Sequence, residues 1–175
     1  TLAGEVALFD LDSRRRRVLL RLGSGATSLA FSPDGETLAV GDLRGAVHLV
    51  DPSTGRVRRE LRPHRDWINR VAWSPDGKWL ATTSDDRSVR VLDPEEGRVA
   101  RIATTAGVAM TLAFTPLGDR VVYGDANRLV MLPVEATRGY RDPARLLEEA
   151  ERRAGMRLEG LRLVPAPTSG QAEGA

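Results

Sequence analysis

Short apolar runs recur along the chain, each of four to six residues and each bounded by glycine, proline, aspartate or serine. Thr37-Leu38-Ala39-Val40, Trp79-Leu80-Ala81-Thr82 and Arg120-Val121-Val122-Tyr123 follow one another at matching spacing. The runs at 46–50 and 88–92 are rich in β-branched residues and are also closed by turn residues, which predicts strands. The turns repeat with them. Ser32-Pro33-Asp34-Gly35 returns 42 residues later as Ser74-Pro75-Asp76-Gly77, and a degraded copy, Thr115-Pro116-Leu117-Gly118, follows after 41 more. Proline presets φ at the second turn position and glycine accepts the left-handed one, so this tetrapeptide joins two strands of a hairpin. A second turn, Asp51-Pro52-Ser53-Thr54-Gly55, recurs as Asp93-Pro94-Glu95-Glu96-Gly97. With 57–61 and 98–102 as further strands, each unit reads as four antiparallel strands, a to d.

A period of about 40 to 45 residues with four strands per unit is the arrangement of the WD40 repeat. The residues resemble that family closely. Trp73-Ser74-Pro75-Asp76-Gly77-Lys78, the stretch Leu80-Ala81-Thr82-Thr83-Ser84-Asp85-Asp86-Arg87-Ser88-Val89-Arg90-Val91-Leu92-Asp93 and the segment His64-Arg65-Asp66-Trp67 carry the likeness, which spans residues 4–134. The resemblance implies an all-β fold, a partial β-propeller of about three and a half four-stranded antiparallel blades. It also implies a binding scaffold and leaves the partner open.

In the family a blade is often pinned by a histidine before strand a, a Ser or Thr on strand b, an Asp in the b–c turn and a Trp on strand c. The unit at 62–102 supplies His64, Thr82 or Ser84 (alternation puts both on one face), and Asp86, but has Leu92 where the Trp belongs. The other units carry Phe9, Val50 and Leu132 there. Packing between blades therefore has to replace the missing indole hydrogen bond.

The ends differ from the middle. Gly4 to Asp10 reads as strand c and Arg17 to Leu22 as strand d, with no a or b before them. A propeller closes with about four blades or more, so the expectation is that the remaining blades come from an upstream part of the protein, a companion chain or a second copy. After the blades of 1–136, residues 137–165 predict a helix and a strand that pack on the propeller or a neighbour. Asp142 caps Pro143 at the first helical position, and Leu146, Leu147, Ala150 and Ala154 form an apolar stripe. Gly155 ends the helix, and Met156 to Val164 then alternates as one strand, bulged at Gly160. Residues 166–175 are rich in small and polar residues and predict a disordered tail. The stretch 142–165 resembles the tail of some bacterial multidomain WD40 proteins.

Composition removes some function classes. No apolar run reaches the ~18 residues of a membrane span, and no cysteine is present, so thiolate chemistry is excluded and a cytoplasmic, reducing setting is expected. Twenty-six basic against 24 acidic residues give a net charge of +2, a faint signal for nucleic acid. No phosphate loop, nucleophile elbow, carboxylate pair or metal-ligand spacing appears, so no cofactor and no enzymatic step is expected within these residues. The expected role is a protein-interaction or sensing scaffold attached to an effector domain. Its partner surface is formed by the loop into strand a and the b–c turns, which carry Arg44, Arg65, Asp66, Trp67, Asp85 and Arg87. The alternative is nucleic-acid binding through arginine-rich loops, above all Arg14, Arg15, Arg16 and Arg17.

Overall fold

The computed structural model describes residues 4–134 and, as backbone, the strands at 156–159 and 162–165. The chain divides into two compact units, Thr1–Ala136 and Thr137–Ala175. In the first, strands pair with their neighbours in chain order as antiparallel meanders. β1 (Glu5–Phe9) and β2 (Arg16–Arg21) form a two-stranded sheet. β3 (Ala26–Phe31), β4 (Leu38–Asp42), β5 (Val47–Val50) and β6 (Val57–Leu61) form a four-stranded one. So do β7 (Ile68–Trp73), β8 (Leu80–Ser84), β9 (Ser88–Leu92) and β10 (Val99–Thr104). The last sheet has three strands, β11 (Leu112–Phe114), β12 (Arg120–Asp125) and β13 (Arg128–Pro133).

The turn residues act as their chemistry requires. Gly35, Gly77 and Gly118 take φ of +75°, +74° and +73° and donate their N–H groups to the carbonyls of Ser32, Ser74 and Thr115. Ser32 and Ser74 donate to Asp34 and Asp76 at 2.5 and 2.6 Å. In the degraded copy Leu117 has displaced the aspartate, and Asp119, on the far side of the glycine, accepts from Thr115 at 2.7 Å instead. The hydrogen bond survives because the hydroxyl reaches either position.

Three apolar cores lie between successive sheets. Val6 and Leu19 meet Leu38, Val40 and Val50. Val47, Leu49 and Leu61 meet Ile68, Val71, Leu80 and Leu92. Val89 and Val91 meet Ala109, Val121, Tyr123 and Val134. Each such side chain, fully buried, contributes roughly 1.5–3 kcal/mol, and the sheets approach closely enough that a Cβ on Gly41 would lie 2.5 Å from Ile68 Cγ2. The inner strands also join directly. Val71 N–H donates to Ser28 Oγ, and Trp73 Nε1–H donates to the Ala30 carbonyl, both at 3.1 Å. Trp73→Phe keeps the ring and removes that donor, so a destabilisation of about 1 kcal/mol is expected in urea unfolding.

Repeat equivalence shows what covers each position. β9 Val89 and Val91, like β5 Val47 and Leu49, are buried by the next sheet. Their counterparts on β13, Leu129 and Met131, are 77% and 59% exposed. At the other end Leu29 and Phe31, the counterparts of Val71 and Trp73, are half exposed, and a cavity of about 410 Å³ opens between β1 and β3 beside Ala7, Thr27 and Leu29.

In the second unit, β14 (Met156–Glu159) pairs antiparallel with β15 (Arg162–Pro165), Glu159 opposite Arg162. The expected single strand with a bulge at Gly160 is therefore a hairpin. Glycine suits a tight reversal as well as a bulge, and alternation on each side cannot tell them apart. The predicted helix of 142–155 and tail of 166–175 lie outside the described residues. Among the described residues no helix is long and apolar enough to cross a membrane.

Candidate partner-binding surface

His64 stands before β7 with its side chain wholly buried. Its Nδ1 lies 2.9 Å from Asp86 Oδ2 and its Nε2 lies 2.8 Å from Thr82 Oγ1. The carboxylate requires a donor, so Nδ1 carries the proton and Nε2 accepts from the Thr82 hydroxyl. Burial pushes the imidazole pKa down and outweighs the attraction of Asp86, which keeps the ring neutral. Burial alone would raise the Asp86 carboxyl, but hydrogen bonds from Ser88 and His64 outweigh it and hold the pKa below the usual carboxylate value. Ser88 Oγ–H donates to Asp86 Oδ1 at 2.6 Å.

Alternation left Thr82 and Ser84 as equals, and the geometry separates them. Ser84 Oγ–H donates to the Asp66 carbonyl at 3.0 Å and accepts from Asp86 N–H at 3.1 Å. Asp–His–Thr has the order of a hydrolytic relay, yet Thr82 is fully buried along with His64, so no substrate atom reaches either. The network is a strut. Leu92, at the expected tryptophan position, is buried in the core beside Leu80.

The strut fixes the loops above it. Arg65 N–H donates to Asp86 Oδ2 at 3.3 Å, and Asp85 N–H donates to the Trp67 carbonyl at 3.0 Å. Asp85 also accepts from Asn69 Nδ2–H at 2.8 Å. The preceding b–c turn joins them, because His64 N–H donates to the Gly45 carbonyl at 3.2 Å, next to Arg44. Arg44, Arg65, Asp66, Trp67, Asp85 and Arg87 are thus brought to one end of the molecule. Asp85 is half-buried and the other five are exposed, Trp67 by 50%. Arg87 holds a left-handed φ of 61°, and its carbonyl accepts from Thr105 N–H, which pins the next loop.

Some members of this surface were not read from the sequence. Val108 and Met110 are exposed before β11, and Val108 stands one repeat, 41 residues, after Trp67. In the first four-stranded sheet the strut is built from other residues. Asp42 accepts from Ser24 Oγ–H at 2.6 Å and from Ala46 N–H at 2.8 Å, and His48 Nε2 lies 3.2 Å away. In the last sheet Asp125 accepts from Ala106 and Gly107 N–H. An aspartate closing strand b was the available signal. Among the described residues no three His, Cys, Asp or Glu side chains are grouped to hold a metal ion.

Residues 55–93 match the family described as WD domain, G-beta repeat, and residues 3–73 match the family described as anaphase-promoting complex subunit 4 WD40 domain. The chain belongs to the WD40-repeat family. The fold agrees with a solved WD40 propeller described as a crystal structure of the mitotic checkpoint complex. The TM-score is 0.71 at 19% identity, over 76% of this chain and 44% of that one. This WD40 chain spans less than half the length of that chain, and the likeness concerns the fold. No curated protein matches it. The sheets have the WD40 propeller fold, which serves generally as a protein-interaction scaffold, and nothing in the described residues indicates enzymatic activity.

Proposed function

We propose that the chain binds a protein partner through the end that carries Trp67, as part of a larger propeller attached to an effector domain. The observation that carries the reading is Trp67 itself. A half-exposed indole stands among Arg44, Arg65 and Arg87 on loops held rigid by the buried strut, and tryptophan and arginine are the side chains that most often dominate binding energy. Leu129 and Met131 support the larger propeller, since their counterparts in two other blades are buried by a following sheet.

The test compares partner recovery from cells expressing the tagged chain. Trp67→Ala with Arg87→Ala is expected to lose the partner by about tenfold or more, whereas Lys78→Ala with Glu95→Ala, at the opposite turns, keeps it. Equal recovery from both variants contradicts the reading. The nucleic-acid alternative has less support. Arg16 is engaged by Glu5, and Arg17 donates to the carbonyls of Ser53 and Pro52 at 2.7 and 2.5 Å. Two arginines of the run then remain, against the six to ten phosphate contacts of a strongly salt-dependent binder.

A further inference from the structure

Arg87 closes the b–c turn of its sheet in a left-handed conformation, at φ 61°. One repeat earlier the same turn position holds Gly45, at φ +78°. Both turns accept a hydrogen bond from the loop that follows, the Gly45 carbonyl from His64 N–H and the Arg87 carbonyl from Thr105 N–H. At Gly45 no side chain fits, because a Cβ would lie 2.5 Å from the His64 carbonyl oxygen. At 87 the chain carries an arginine in spite of a backbone strain that glycine would avoid. No contact of its guanidinium among the described residues offsets that strain.

Arg44 and Arg65 share this state. Among the described residues none of the three guanidinium groups forms an ion pair or donates a hydrogen bond. The neighbouring carboxylates are turned to backbone and amide groups instead. Asp42 accepts from Arg44 N–H at 2.9 Å, and Asp86 accepts from Arg65 N–H at 3.3 Å and from Ser88 N–H at 3.0 Å. Asp66 accepts from Trp67 N–H, and Asp85 from Asn69 Nδ2–H. Cations near the opposite turns differ. Arg58, Lys78, Arg98 and Arg120 stand 3.0, 3.7, 3.3 and 3.5 Å from Asp51, Asp76, Glu96 and Asp119. The half-exposed Trp67 lies among the unpaired arginines, on a sheet whose two faces pack on β3–β6 and on β11–β13. Its exposure, like that of Arg65 and Arg87, is therefore that of a sheet flanked on both sides.

We propose that the partner of this surface presents an acidic segment with one large apolar side chain, its carboxylates pairing with Arg65 and Arg87 beside Arg44 and its apolar side chain lying against the Trp67 indole. The proposal rests on the Trp67 surface argued above and adds the chemistry of its occupant. A guanidinium holds a carboxylate through two parallel N–H···O bonds, and complementary charge decides which partner is accepted. The strut beneath the loops keeps the ordering needed on binding small. Nucleic acid fits less well. Three arginines fall short of about six to ten phosphate contacts, and Asp66 and Asp85 lie among them to repel a uniformly anionic backbone.

For the test, a random peptide library displayed on phage is selected on the 175-residue chain, and the recovered consensus is measured as a fluorescent peptide by anisotropy. The selection is expected to return Asp or Glu on both sides of a Leu, Phe or Trp. Arg87→Gly is expected to weaken the peptide about tenfold without lowering Tm, since it frees the turn of strain. One of the peptide's carboxylates, exchanged for its amide, is expected to cost the parent chain as much and Arg87→Gly nothing further. Trp67→Ala loses about tenfold or more. Recovered peptides without acidic residues, an affinity unchanged by Arg87→Gly, or equal binding of oligothymidylate each overturns the acidic partner. Where such peptides still weaken in Trp67→Ala, the surface proposed above stands without it. Binding indifferent to Trp67→Ala overturns both readings, and a selection that enriches no sequence overturns this one.

Discussion

Gly55→Ala is expected to be among the most damaging single-methyl changes in the chain, lowering stability by about 3 kcal/mol and Tm by about 10 °C. Two effects combine at this position. The residue holds φ +79°, where an L side chain is strained, and its Cβ would stand 2.2 Å from the Leu19 carbonyl oxygen. Backbone cannot swing aside as a side chain does, so the sheets β1–β2 and β3–β6 have to separate. Gly35→Ala is the control. It has φ +75° with nothing within 4 Å of the added carbon, and should cost only about 1 kcal/mol. Thermal unfolding of the two variants beside the parent chain separates strain from steric contact. Equal losses would show that the stacking of blades does not depend on the glycine turns.

His64→Ala has a comparable expected effect, about 3 kcal/mol. It removes the donor that Asp86 accepts at 2.9 Å, leaves the Thr82 hydroxyl without its acceptor at 2.8 Å, and opens a cavity under the loop that carries Trp67. The pH dependence has a definite sign. Burial holds the folded-state pKa of His64 below the ordinary imidazole value of about 6.5. Between that value and the lower folded one, the unfolded chain binds a proton that the folded chain does not. The stability associated with a neutral His64 is therefore present above about pH 7 and declines as pH falls towards the folded pKa. His64→Gln, which cannot titrate, should show a flatter denaturation midpoint between pH 7 and 5 than the parent. Equal slopes would mean that the histidine binds protons alike in the folded and unfolded chains, against the burial seen here.

Much of the fold was legible in the spacing of turns, because hairpin chemistry is local. Ser-Pro-Asp-Gly at 32 and 74 specifies a reversal whatever surrounds it, and the apolar runs between turns are too short to form anything but strands. The site was less legible. A period of two places Thr82 and Ser84 on one face, and only the distances to His64 and to the Asp66 carbonyl divide their tasks. Asp42 and Asp125 do the work of Asp86 from positions nearer the end of strand b, which no single consensus position reveals. Met156 to Val164 misled for the opposite reason, since a bulge and a hairpin share the same alternation and the same glycine.

The account rests on one end of the blades being a rigid binding face, and photo-crosslinking tests that most directly. A benzoylphenylalanine introduced at position 67 or 87 is expected to capture the same protein partner in cells, while the same group at 77 or 95, on the opposite turns, captures none of it. Capture of that partner with equal yield from both ends, or from 77 and 95 alone, would contradict the assignment of the surface around Trp67.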